Sequence, residues 1–141
     1  MSDTVVSITN NDTFLLSNKK TTIDYRALMA KAVATTGTIP KIVKMSFGNK
    51  GETDSQGNPA PPSDNGTLNN VVLTKNIESI TFPTTTQACF SASIAKGEVT
   101  ATINEIALID ENGNTAAKMR LLTAKGADSE TGIKFNWYMD F

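Results

Sequence analysis

The sequence predicts an α+β, mainly β fold: an antiparallel β-sandwich-like sheet domain with one amphipathic helix near residues 24–36 and a long polar loop near residues 48–67. Three observations predict it. The stretch from Ile103 to Ala117 reads I-N-E-I-A-L-I-D-E-N-G-N-T-A-A, and its Asn112-Gly113 is the pair that most readily takes φ > 0 in a tight hairpin turn. At the end of the chain Ile133, Phe135, Trp137, Met139 and Phe141 share one parity, with Lys134, Asn136, Tyr138 and Asp140 on the other, the period of a strand with one buried face. Between residues 24 and 36, Tyr25, Leu28, Met29, Ala32, Val33 and Thr36 recur at the spacing that stacks side chains on one helical stripe. With 141 residues the chain suits a single domain, 1–141, read as an N-terminal extended segment and helix (1–37) followed by a sheet core (38–141).

The elements follow in order. Thr4 to Thr9 and Thr13 to Ser17 are extended candidates separated by the turn-type cluster Asn10-Asn11-Asp12. Thr21 or Thr22 caps the helix, Gly37 stands where helices end in αL, and the apolar stripe is expected to pack on the protein's own sheet. After Pro40, Val43, Met45 and Phe47 alternate with Lys44 and Ser46 up to Gly48. Leu68 to Leu73 is apolar enough to return the chain to the core as either a helix or a strand. Ile80 and Phe82, with Glu78 facing out, make a strand that Pro83 halts. It pairs through the loop Thr84-Thr85-Thr86-Gln87 with a strand carrying Ala88, Phe90, Ala92 and Ile94.

Gly48 to Thr67 holds four glycines, three prolines and no large apolar side chain, so it cannot be core. A loop of this length inside a compact domain is either a contact element or a disordered insertion. Its candidate partner-binding residues are Asn49, Lys50, Glu52, Asp54, Asn58, Pro59, Pro61, Pro62, Asp64 and Asn65. Calcium could draw on Glu52, Asp54 and Asp64, but their spacing fits no EF-hand and Pro61-Pro62 interrupts the ligands. The acidic run Asp110-Glu111 is accounted for by the hairpin turn.

Composition narrows the function. The chain has no histidine, which closes most nucleophile-activating triads, many metal sites and many proton shuttles. Its 13 basic and 14 acidic residues are scattered singly, without the basic stripe of a nucleic-acid binder. The lone Cys89 has no partner for an intrachain disulfide or a zinc site, and reads as an inert small residue. No cofactor, metal or catalytic residue is expected. No apolar run approaches the roughly 20 residues of a membrane span, and Met1-Ser2-Asp3 does not begin a signal peptide, so synthesis in a cytoplasm is expected.

On these residues the chain resembles the N-terminal attachment module of bacteriophage tail-collar and tail-fibre proteins. The likeness lies in an early helix, a strand ending in a glycine-containing turn (Ile42 to Asn49), a proline-bearing loop (Pro59 to Pro62) and the segment Thr67-Leu68-Asn69. Its strongest part is the hairpin opened by the Ile-x-Glu-Ile-x-Leu pattern of Ile103 to Leu108, followed by Asp110 and Asn112-Gly113. It covers most of the chain from Lys41 to Phe141. Ala107 stands where the family often has Gly, and long members continue into a fibre shaft, so this chain resembles the module made as a free-standing protein. The resemblance implies a structural virion protein, not an enzyme: an adaptor attaching tail fibres to the baseplate or tail tip, assembled as a homotrimer or symmetric hub with other tail, baseplate and fibre proteins. A glycan-binding or adhesive β-sandwich touching the host surface is the alternative, with Tyr25, Tyr138 and exposed phenylalanines as stacking platforms. A polysaccharide hydrolase built on paired carboxylates stands third.

Overall fold

The computed structural model describes residues 4–8 and 19–141. The extended candidate Thr13 to Ser17 and the Asn10-Asn11-Asp12 turn lie outside these residues. Among the described residues nine strands, β1 (Thr4–Ile8), β2 (Lys19–Thr21), β3 (Ile42–Gly48), β4 (Val71–Asn76), β5 (Ser79–Thr84), β6 (Gln87–Ile94), β7 (Ala101–Asp110), β8 (Thr115–Ala127) and β9 (Ile133–Asp140), accompany one α-helix, α1 (Ile23–Lys31). They form a four-stranded sheet in the order β1-β9-β6-β5 and a five-stranded sheet in the order β2-β8-β7-β3-β4. All described pairings are antiparallel except β1 with β9, which is parallel. Both β1 and β2 join the sheets, so the sheet core draws on the chain ahead of the helix as well as on residues 38–141.

Alternation decides the core. In the five-stranded sheet Met45 pairs with Leu108 and Phe47 with Ile106, while Ile106 pairs with Met119, so these large side chains share one face. In the four-stranded sheet Phe90 pairs with Trp137, Ala92 with Phe135 and Ile94 with Ile133. The two faces meet at Phe47 and Phe135, whose ring centroids lie 4.8 Å apart at 37°. A tilted aromatic pair of this kind adds to the burial of both rings. The β7–β8 hairpin turns at Asn112-Gly113 as expected: Gly113 has φ 85°, and Asp110 Oδ1 accepts the N–H groups of Asn112 and Asn114 at 2.9 Å each. The region from Leu68 to Leu73 resolves into a buried Leu68 in the loop followed by strand β4.

Three expectations change. The helix caps at Thr22, whose Oγ1 accepts the Tyr25 N–H at 3.2 Å, but beyond Lys31 it opens into a single π turn over Ala32–Thr36, closed by Gly37 N–H to Ala32 O at 2.7 Å. The wider turn rotates the last residues off the stripe: Tyr25 and Ala32 are buried, whereas Val33 is 86% exposed. Pro83 does not halt β5, which continues to Thr84. Because β5 is an edge strand, the missing N–H is tolerated, and the register slips between Thr81 and Thr84. Phe141 shares the core parity but is 69% exposed, because β9 ends at Asp140 and no described residue covers the sheet at that end.

Candidate functional site

The face of β7 and β8 that points away from the sandwich core carries three buried charged side chains, Glu105, Lys118 and Arg120. Strand alternation puts them there: Ile106 and Met119 turn inward as a pair, so Glu105 and Arg120, themselves cross-strand partners, turn outward. The segment between β3 and β4 closes over them. Glu105 Oε2 accepts the backbone N–H groups of Lys50 (3.1 Å) and Asn70 (2.9 Å), and its Oε1 accepts that of Asn69 (3.0 Å). The carboxylate thereby clamps both ends of the loop. Arg120 Nε donates to Glu52 O at 2.8 Å, and its Nη1 donates to Leu121 O at 2.8 Å and Asn104 O at 3.3 Å. Lys118 Nζ donates to Ser63 Oγ and Asn65 O at 2.7 Å and to Thr67 O at 3.4 Å. Asn104 Oδ1 accepts the Gly51 N–H at 2.8 Å.

Close approach demands glycine at two positions. A Cβ at Gly48 would come within 2.5 Å of both Asn70 O and Glu105 Oε2, and one at Gly51 would overlap the Arg120 side chain. Burial pushes the Lys118 ammonium below its ordinary pKa, opposed by the nearby Glu52, Glu105 and Asp64 carboxylates. It lowers Arg120 likewise, with Glu105 opposing. Buried cations that each donate to backbone carbonyls are satisfied geometrically, so they hold the loop in one arrangement.

The predicted residues divide into a base and a tip. Asn49 Oδ1 accepts Asn70 Nδ2 at 2.7 Å, and the Lys50 carbonyl and Glu52 Oε1 both accept Asn69 Nδ2 at 2.7 Å. Pro62 is buried, Pro61 exposed, and Asn65 presents its carbonyl to Lys118. Asp64 pairs with Arg26 of α1 at 3.1 Å, and its carbonyl accepts the Ile23 N–H at 2.7 Å, which fastens the helix to the loop. The tip is a miniature hairpin. Thr53 and Pro59 form an antiparallel bridge, Asp54 N–H donates to Asn58 O at 2.9 Å, and Asp54 Oδ1 accepts the N–H groups of Gln56 and Asn58. Residues 53–58 are all exposed.

Glu52, Asp54 and Asp64 are therefore employed in three separate places, and no group of acidic, cysteine or histidine side chains able to hold a metal ion occurs among the described residues. No helix among them is long and apolar enough to cross a membrane. Cys89 is buried and free. Sequence reasoning missed Lys118 and Arg120; the only signal was two cations on one parity of a strand whose other parity is apolar, which ordinarily reads as a solvated face. Comparison with protein-family models, with curated proteins and with solved structures finds no match to this chain.

Proposed function

We propose that this chain is a structural protein of a bacteriophage tail, an adaptor that attaches tail fibres to the baseplate or tail tip as part of a homotrimer or symmetric hub, and that the tip at residues 53–59 is one of its contact elements. The observation that carries the reading is the contrast within the loop: a base fixed by Glu105, Lys118 and Arg120, and a hairpin tip whose residues 53–58 all face solvent. A polar segment without large apolar side chains gains little from burial. Here charge-assisted hydrogen bonds order it in advance, so a partner meets a preorganised surface and the association loses less entropy. The family resemblance gives the tail assignment, and its strongest motif, Ile103 to Leu108, contains the Glu105 that clamps the loop.

The glycan-binding alternative is less well supported. Trp137 is buried, and so is Tyr25, whose hydroxyl donates to Pro40 O at 2.9 Å. Of the platforms named for a sugar, only the half-buried Tyr138 and exposed phenylalanines remain. The test is biochemical. Phage particles purified from a host that carries the coding sequence are expected to contain the chain at fixed stoichiometry with fibre and baseplate proteins. Particles lacking it, with the protein free in the lysate, would refute the assignment.

A further inference from the structure

An apolar groove of about 590 Å3 lies at the free edge of β5, far in function from the clamped loop, lined by Ile42, Val43, Ile80, Phe82, Phe90 and Phe141. It exists because every residue of β5 is exposed, so its core-parity side chains, Ile80 at 47% and Phe82 at 73%, have no opposing layer among the described residues. Clustered large apolar side chains around a concave edge mark an interaction surface.

We propose that this groove binds a second copy of the chain about a two-fold axis, with β5 pairing antiparallel to β5 of the partner. The edges of the two sheets are protected differently. In the five-stranded sheet the edge strand β2 carries Lys19 and Lys20, and the edge strand β4 carries Lys75, which pairs with Glu98 at 2.6 Å. The β5 edge, Ser-Ile-Thr-Phe-Pro-Thr, has no charge, like β1 at the other edge of its sheet, and its only interruption is at the far end, where Pro83 lies within the register slip between Thr81 and Thr84.

The strand is also complementary to itself. Pairing centred on Thr81 sets Ile80 opposite the partner's Phe82 and Phe82 opposite the partner's Ile80, giving the same aliphatic–aromatic cross-strand pair twice on the groove face. Pro83 then falls opposite the partner's Ser79, at the end of the ladder, where its missing N–H matters least. The groove lining includes one cation, Lys41, and one anion, Glu78, and the chain's net charge is −1, so a second copy meets no repulsion. An isologous contact of this kind fits a dihedral form of a symmetric hub and not a lone three-fold ring. It stands on the edge and the groove alone and is independent of the tail assignment.

One edge strand with its groove makes a small contact, so a dimer in the micromolar range is expected by sedimentation velocity. Phe82→Glu changes an exposed residue, so it should leave the circular dichroism spectrum unchanged while raising the dimer dissociation constant about 30-fold or more, the scale of losing a buried aromatic anchor. Thr81→Cys, made with Cys89→Ala because the two residues face each other across β5 and β6, should be coupled into a covalent dimer by a short bis-maleimide. A wild-type chain that stays monomeric throughout the micromolar range would assign the groove to a different partner and overturn the proposal. A dimer indifferent to Phe82→Glu, or one that Phe82→Glu breaks but the bis-maleimide does not couple at position 81, would overturn it as well.

Discussion

Glu105 offers the sharpest perturbation of the loop. The residue is 4% exposed, and its carboxylate accepts three backbone N–H groups, from Lys50, Asn69 and Asn70, at 2.9–3.1 Å. Glu105→Ala would leave those donors without an acceptor, each worth about 1–3 kcal/mol when wholly buried and less here because the loop borders solvent. It would also remove the carboxylate whose charge opposes the burial penalty on the Arg120 guanidinium, a smaller cost because the two groups form no direct ion pair. These two costs overlap, so about 3–5 kcal/mol is expected in all, a large part of the roughly 5–15 kcal/mol that holds a domain together. Glu105→Gln keeps the volume and one accepting oxygen but turns an NH2 toward an N–H donor, so about 2 kcal/mol is expected. Urea unfolding followed by circular dichroism gives both values, and native-state hydrogen exchange should show the amides of Lys50, Asn69 and Asn70 losing protection first. If Glu105→Ala unfolds at the wild-type urea midpoint with those amides still protected, the clamp does not hold the loop and the reasoning fails.

Trp137→Ala empties a fully covered site between the sheets and should cost about 3–5 kcal/mol in urea, whereas Asp140→Ala, on the exposed parity, should cost far less; equal stabilities would mean that the face assignment is wrong. Burial, with Asp110 and Glu111 nearby, holds the Tyr25 phenol above its ordinary pKa of 10.0, so the folded chain keeps a proton that the unfolded chain releases. The resulting stability is fully present below that value and is lost as the pH rises through the folded pKa. Tyr25→Phe should therefore cost about 1 kcal/mol near neutrality, from the hydrogen bond to Pro40 O, and the gap to wild type should narrow in alkaline solution; a constant gap would contradict this. Replacing residues 54–58 with Asn-Gly should preserve the thermal midpoint while impairing incorporation into particles, and normal incorporation would show that the tip makes no essential contact.

Periodic segments were legible because one physical rule governed them. The β7–β8 hairpin, the pairing of β5 with β6 and the buried parity of β9 up to Trp137 each follow from alternation against a single covering layer. Alternation fails where the cover stops, as at Phe141 and Phe82, because parity says which way a side chain points and not whether anything lies there. The helix failed at Val33 for a local reason, since a π turn shifts every later residue around the axis.

The loop resisted sequence reading more deeply. Its boundaries and polarity were plain, but its order depends on Lys118 and Arg120, more than fifty residues downstream of the groups they bind. Cutting out most of Gly48 to Thr67 would strip Lys118 and Arg120 of their loop acceptors and open to water the face that the loop covers. Only the tip, bridged at Thr53 and Pro59, can be removed without touching the clamp.

A reconstruction of the intact tail tests most directly the proposal that the sandwich holds out a preorganised loop for assembly. The account predicts density for this chain at the junction between baseplate and fibre, with the hairpin tip of residues 53–59 seated against a neighbouring tail protein in the conformation described above. A tail in which the chain is absent, or in which it is present with that tip facing solvent on every copy, would contradict it.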